Sequence, residues 1–552
     1  MDRISFTFDG QEVSCAPGSS LAAALTEAGV RGFRETEKGK PRGIFCGMGV
    51  CQDCLVSVDG RPNQRACMTA TAPGMTVAPQ PARPALTAPP AVNRSAHRLT
   101  PRVLVVGGGA GGLSAAIAAR ETGAEVVLLD ERKVPGGQYF KQSARPEAAP
   151  LDAQQAEGQA LVARARDAGV TILPEVTVWG AFDGPEILAA DPGAVYAIRP
   201  GALIVATGAY ERPAMIPGWT LPGVMTVGAA QTLWRSYGTL PGARVALFGN
   251  GPLVAQVALE LAEGGAEIPL LGESAPAPWR RPLASLAMMR RDPGLARKGL
   301  SMLAGLKRQG IAPRHDLRPT RIEAAPAGGL LVHYEQGRHS GRITADAVCL
   351  NYGFQPQNEI LRLLDCAMTY DARFDQLRPE RAPDCRTSIA GVYAVGDCCG
   401  LGGAPAAALE GRIAGRAAAG GPGPSAGEAA TLARHRAFQD ALWRVYDSPA
   451  PPLEEAAPET LVCRCEEVEK AALDAALSDD PHDIGALKRA TRIGMGRCQG
   501  RYCAPALAGL MARRRGTPMG DLSYFAPRVP IKPVDIATIT AAEALLAEET
   551  NG

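Results

Sequence analysis

The sequence predicts a multidomain α/β protein, with a small β-rich unit at its start and a small helical unit at its end. Three observations carry that expectation. At roughly 100–200 residues per domain, 552 residues make three to five domains. Two glycine-bearing turns, Gly107–Gly112 and Gly249–Val254, each follow a buried-strand run and open a helical run, as in layered α/β bodies. Eight of the 14 cysteines fall into two sets of four, one near each end. Hydrophobic residues make 46% and charged residues 21%, ordinary for a globular chain. The net charge of +2 leaves no electrostatic footprint for nucleic acid or an anionic membrane. No apolar run approaches the ~20 residues that span a bilayer. Met1–Phe8 has no basic flank leading into an apolar stretch, so no secretory signal is read and the cytoplasm is expected.

Residues 1–79 form the first unit. Ile4–Phe8 alternates with period two, Asp9-Gly10 turns, and Glu12–Cys15 returns, a hairpin signature. A short helix follows from Ser20, and Leu55–Val58 is a further strand. The cysteines run Cys46-x4-Cys51-x2-Cys54-x12-Cys67, the plant-type [2Fe–2S] spacing. Two irons need four thiolates, and three here come from one tight loop. Gly47 and Gly49 lack Cβ, so the loop can take positive φ and bring amides to the cluster sulfurs. Zinc also takes four thiolates and is the alternative. Cys15, in a strand away from the loop, reads as a core cysteine.

Residues 80–100, rich in Pro and Ala, read as a linker. The strand Val103–Val106 then runs into Gly107-x-Gly109-x-x-Gly112 and a helix. Such glycines allow a tight turn, close approach of a pyrophosphate to the backbone, and close helix–strand packing. The next strand, Val126–Leu129, ends in Asp130 and Glu131, where a carboxylate receives ribose hydroxyls. Three further pieces follow: Pro135-Gly136-Gly137-Gln138, a strand ending Ala206-Thr207-Gly208, and a strand ending Val395-Gly396-Asp397. Together they resemble the two-dinucleotide-binding-domain flavoproteins, the glutathione-reductase-like fold. That resemblance implies FAD in the first site, with contacts from Gly107, Gly109, Gly112, Asp130, Glu131, Gly137, Gln138, Thr207, Gly208 and Asp397. It also implies a division into an FAD-binding domain, 101–240 plus 345–425, and a second nucleotide domain, 241–344. Cys398-Cys399 follows Asp397, and free thiols are expected there.

The second turn, Gly249-Asn250-Gly251-Pro252-Leu253-Val254, sits where this fold carries NAD(P), with three departures. Val254 replaces the third glycine. The next strand, expected at Glu267–Leu271, contains Pro269, which cannot donate to a central ladder. Gly272 stands where the acid belongs, with Glu273 adjacent. The domain is degenerate, and NAD(P) binding is left open.

The last unit, 455–545, carries Cys463-x-Cys465-x32-Cys498-x4-Cys503. It resembles the bacterioferritin-associated-ferredoxin-like domain, which implies a second [2Fe–2S] cluster. The second pair departs from that family, which has two residues between its cysteines, and zinc is the alternative. Arg492, Arg497 and Arg501 would offset the charge of a thiolate cluster.

The whole order resembles the α subunits of heteromeric amine and imino-acid dehydrogenases, such as hydrogen cyanide synthase, opine oxidase, D-hydroxyproline dehydrogenase and heterotetrameric sarcosine oxidase, with a ferredoxin fused on. The resemblance implies an amino-acid-oxidase-like β subunit that oxidises the C–N bond, and further small subunits in some assemblies. It implies that this chain passes the electrons on, with an FMN sometimes held between subunits. No base or nucleophile in a catalytic frame is found, so no catalytic residue is assigned. Two rivals stand beside this reading: a self-sufficient NAD(P)H-dependent reductase, and a redox sensor.

Overall fold

The computed structural model describes residues 3–85, 94–145, 147–448, 450–481 and 483–550. The first unit is a five-stranded sheet in the order Gln11–Cys15, Ile4–Phe8, Thr76–Pro79, Leu55–Val58, Arg61–Arg65. Ile4–Phe8 and Thr76–Pro79 run parallel, and the other pairs antiparallel. The helix Leu21–Glu27 covers one face, capped where Ser20 Oγ accepts from Ala23 N at 3.2 Å. Cys15 is fully buried in this core, as expected.

The body holds two parallel sheets. One runs Thr171–Leu173, Val126–Leu129, Val103–Val106, Ala202–Val205, Val392–Ala394. The helices Ala110–Glu121 and Ala404–Ala418 lie on it in close contact. A Cβ on Gly411 would stand 2.1 Å from Gly111 O, and one on Gly415 2.1 Å from Ala115 O, so only glycine permits that approach. The other sheet runs Val224–Thr226, Ala347–Asn351, Val245–Gly249, Leu271–Glu273.

Four expectations shift. Val224–Thr226 and Ala347–Asn351 both pair inside the second sheet, so the boundaries drawn at 240/241 and 344/345 cut through one body. The linker expected over 80–100 is shorter, because Ser95–Leu99 pairs in parallel with Ala194–Ile198 of a four-stranded sheet; residues 86–93 of it, like Pro449, lie outside the described residues. The strand expected at Glu267–Leu271 forms at Leu271–Glu273, after Pro269, which leaves the ladder its donors. The last helix, Ile536–Thr550, leaves the C-terminal unit: Ala542 and Leu545 share a core with Val195 and Ala197.

The end units do not hang free. The N-terminal core is continuous with the helix Val227–Tyr237 and the strand Val245–Gly249 of the second nucleotide body. Cys46, Cys51, Phe45, Trp219, Cys498 and Tyr502 belong to one further apolar cluster, which joins both cysteine sets to the body. Among the described residues, no helix is long and apolar enough to cross a membrane.

Candidate functional site: two thiol sets around a nucleotide cavity

The N-terminal thiols are arranged in pairs. Cys46 and Cys51 interact through their sulfurs, and so do Cys54 and Cys67. Two thiols to each of two metal ions is what a [2Fe–2S] cluster requires. Gly47 (φ +62°) and Gly49 (φ +76°) bend the loop so that the amides of Met48 and Cys51 donate to Cys46 Sγ at 3.5 and 3.4 Å. Burial opposes a charge on Cys46, but the Cys51 thiol and those amides outweigh it and pull the thiol down. Gly47 is fixed from outside as well: a Cβ there would meet Ala229 Cα at 2.9 Å. The cysteine loop therefore sits directly on the N-terminus of the helix Val227–Tyr237.

Beside that helix opens a cavity of ≈ 980 Å³. It is lined by Gly107–Gly111, Glu131, Gly137, Gln138, Thr207, Gly208 and Asp397, the residues expected at the flavin, and by Met48 and Met68 of the cysteine unit. The glycines fit a dinucleotide. A Cβ on Gly107 would lie 2.4 Å from Ala206 O, and one on Gly112 1.8 Å from Gly107 O, so turn, strand and helix close only without side chains. Gly109 faces the cavity, with only Gly137 Cα near its absent Cβ, at 3.8 Å. Asp397 Oδ1 accepts from the amides of Gly402 and Gly403 at 3.1 and 3.3 Å, fixing the loop before the helix Ala404–Ala418. Thr207 Oγ1 donates to Gln357 O at 2.5 Å.

Asp130 lines the cavity beside Glu131 and is also tied to the turn. Its carboxylate accepts from Gly108 N at 2.6 Å and Arg132 N at 2.7 Å, which ties off the turn, and burial raises it to about 6. Glu131, at the same wall, pairs with Lys532. Cys398 and Cys399 are buried free thiols, 3.6 Å apart, with Cys398 donating to Val205 O and Val395 O.

The start of the second turn, Gly249–Gly251, is covered. Asn250 Nδ2 donates to Ser448 O at 3.1 Å. The Trp443 ring lies 3.6 Å from where a Gly251 Cβ would stand. Arg281 Nη1 holds this segment by donating to Val445 O at 3.0 Å. Glu273 Oε2 accepts from Gly251 N at 3.0 Å, and burial raises that acid to about 8. Glu273 thus stands where Asp130 stands in the first turn. It falls one residue later than the spacing predicts, because the chain takes an extra step at Pro269.

The C-terminal thiols also converge. Cys463 and Cys465 lie 3.8 Å apart, Cys465 and Cys498 3.6 Å, and the Cys503 thiol interacts with that of Cys463. Interaction with the Cys465 and Cys503 thiols pulls Cys463 strongly down. A Cβ on Gly496 would stand 2.5 Å from Cys465 Sγ, so glycine is needed there. Of the three arginines expected at this set, Arg501 is buried and donates to Cys498 O at 3.1 Å, whereas Arg492 pairs with Glu466 at the surface.

Residues 101–415 match the family described as pyridine nucleotide-disulphide oxidoreductase. The A subunit of opine oxidase from Rhizobium meliloti (strain 1021) is 34% identical, over 79% of this chain and 97% of its own. The chain belongs to the family of opine oxidase A subunits. Its ends match the 2Fe-2S iron-sulfur cluster binding domain at residues 1–82 and the sarcosine oxidase A3 domain at 457–543. Hydrogen cyanide synthase subunit HcnB of Pseudomonas aeruginosa is 31% identical over 78% of this chain and 97% of its own. The subunit HcnA of that organism is 46% identical over 69 residues, 12% of this chain and 66% of its own. The L-proline dehydrogenase structure from P. horikoshii has the same fold, with a TM-score of 0.71 over 98% of this chain and 97% of that one, at 20% identity. As a member of the opine oxidase family, this chain is a flavoprotein oxidoreductase with FAD and [2Fe–2S] as cofactors.

Sequence reasoning missed the polar wall of the cavity. Lys141 is buried, donates to Gly228 O at 2.7 Å, and is lowered by burial to about 7. Glu211 accepts from Gly228 N at 2.7 Å and Asn351 Nδ2 at 2.6 Å, and burial raises it. The available signal was position: Lys141 follows Gly137 by four residues, and Glu211 follows the Thr207-Gly208 end. Neither stands in a recognisable frame.

Proposed function

We propose that this chain is the electron-transfer subunit of a heteromeric flavin-dependent amino-acid or amine dehydrogenase, in which a separate β subunit oxidises the C–N bond. One observation carries the reading: Met48 and Met68, from the cysteine loop and beside Cys67, line the same cavity as the first glycine turn. A flavin in that cavity would take electrons in pairs and release them singly to a neighbouring cluster. Gly107, Gly109, Gly112, Gly137 and Gln138 would hold its pyrophosphate side, Asp130 and Glu131 its ribose, and Thr207, Gly208 and Asp397 the strand ends beside it. Asp130 would also shape the turn. Cys46, Cys51, Cys54 and Cys67 would hold one cluster and Cys463, Cys465, Cys498 and Cys503 a second. The 69-residue likeness to HcnA beside the longer one to HcnB supports a ferredoxin fused to an α subunit. With all 14 cysteines free, a reducing compartment such as the cytoplasm suits the chain.

The test is a two-arm reduction. The isolated chain, with its flavin oxidised, should not respond to NADH. Once the co-purifying β subunit is present, an amino-acid or opine substrate should bleach the flavin and bring up an iron–sulfur EPR signal. Bleaching by NADH alone would replace this reading with that of a self-sufficient reductase. No turnover of a dye acceptor by the complex would leave the sensor reading.

A further inference from the structure

Between the two cysteine sets lies a buried charge bridge that neither cluster needs for ligation. Asp53 stands between the ligands Cys51 and Cys54, and it is fully buried. Its Oδ1 accepts from Arg34 Nη2 at 3.0 Å, and its Oδ2 from Arg464 Nε at 2.6 Å. Arg464 stands between Cys463 and Cys465 of the other set and is also buried. It donates to Trp219 O at 3.0 Å, and its guanidinium lies 3.7 Å over the ring of Phe45, the residue before Cys46. Tyr502, the residue before Cys503, packs edge-on against the same ring with centroids 5.5 Å apart. Its hydroxyl has no hydrogen-bond partner among the described residues, so the ring serves as packing. Arg42 to Glu467, at 3.2 Å, is a second buried ion pair across this junction.

A buried ion pair is a poor way to add stability, because desolvating both charges offsets most of their attraction. Its placement here, with one member inside each ligand loop, points to another role. We infer that Asp53, Arg464 and the Phe45–Tyr502 ring pair couple the two cluster sites directly, so that electrons pass between them and the charge on one shifts the potential of the other. Arg464 and Asp53 are positioning residues. The transfer moves one electron from the reduced site to the oxidised one and forms or breaks no bond. Burial keeps the local dielectric low, so a charge on either loop is felt at the other. This inference rests on the reading that both sets hold [2Fe–2S] clusters.

The experiment is EPR of the full-length chain, reduced fully with dithionite, alongside its iron content. Two irons per set and signals broadened or split by magnetic interaction are expected. The same spectrum in Cys51→Ser should show one sharp, non-interacting signal. A full iron content with a spectrum that is the plain sum of two independent signals would overturn the coupling and leave the proposed function standing. Iron at one set only would overturn both the coupling and the two-cluster reading. A redox titration separates coupling from a structural role. Arg464→Gln should lower both midpoint potentials, and Asp53→Asn should raise both, each by about tenfold in the reduction equilibrium, or about 59 mV for one electron. Arg464→Lys should restore much of the first shift. Movement of only the C-terminal potential in Arg464→Gln would contradict the bridge.

Discussion

The two glycine turns of the body start from the same local chemistry and end in opposite states. Each caps a buried parallel strand, opens a helix, and has a buried acid turned back on its own amides. In the first, the acid takes the middle amide, Gly108 N, and Gly109 faces open cavity. In the second, the acid takes the amide of Gly251 itself, and Trp443 and the Ser448 carbonyl cover the rest. A glycine turn binds pyrophosphate only when its amides and the space above them are both free. The fingerprint alone therefore reports a fold, and the neighbours decide whether it is a site.

The largest effect that would sharpen this contrast is Gly109→Val. A side chain at the open position should exclude the pyrophosphate and yield protein without flavin, read from its absorbance; normal flavin occupancy would displace FAD from this turn. Cys51→Ser comes next: one EPR signal and its iron should vanish while the flavin stays bound, because the cluster site and the nucleotide cavity share a wall but no ligands. Gly251→Ala acts on the covered turn. Its φ of +90° strains any side chain, so stability should fall by about 1–3 kcal/mol in thermal melts with flavin content unchanged. Loss of flavin there would erase the distinction between the turns.

The smallest effect is a pH dependence. Burial raises Glu273 to about 8, so between its ordinary range near 4.5 and that value the folded state holds the proton more tightly than the unfolded. Stability contributed by this group is present at low pH and lost as pH rises through that window. Glu273→Gln carries no such loss. Its melting temperature relative to wild type should climb from pH 5 to 8, and a constant difference would mean that Glu273 is not buried as described.

Much of the fold was legible because its signals are local. Strand–turn–helix order, the period-two hairpin at Ile4–Cys15 and the cysteine spacings are all set by near neighbours in sequence. What could not be read is long-range. The covering of Gly249–Gly251 comes from residues nearly 200 positions away. The return of Ile536–Thr550 to the strand Ala194–Ile198, and the pairing of Asp53 with Arg464, depend on packing that no spacing encodes. Asp130 shows a subtler gap: spacing places it at the strand end beside the cavity, but not that its carboxylate also ties off the turn through the amides of Gly108 and Arg132. The sequence pattern places Pro269 inside a strand, whereas the strand begins after it.

The claim that one turn is a flavin site feeding the clusters, and the other is closed, is tested most directly by adding excess NADH anaerobically to the isolated full-length chain and following the flavin absorbance. The account predicts that the flavin stays oxidised while subsequent dithionite bleaches it. Prompt bleaching by NADH would contradict it.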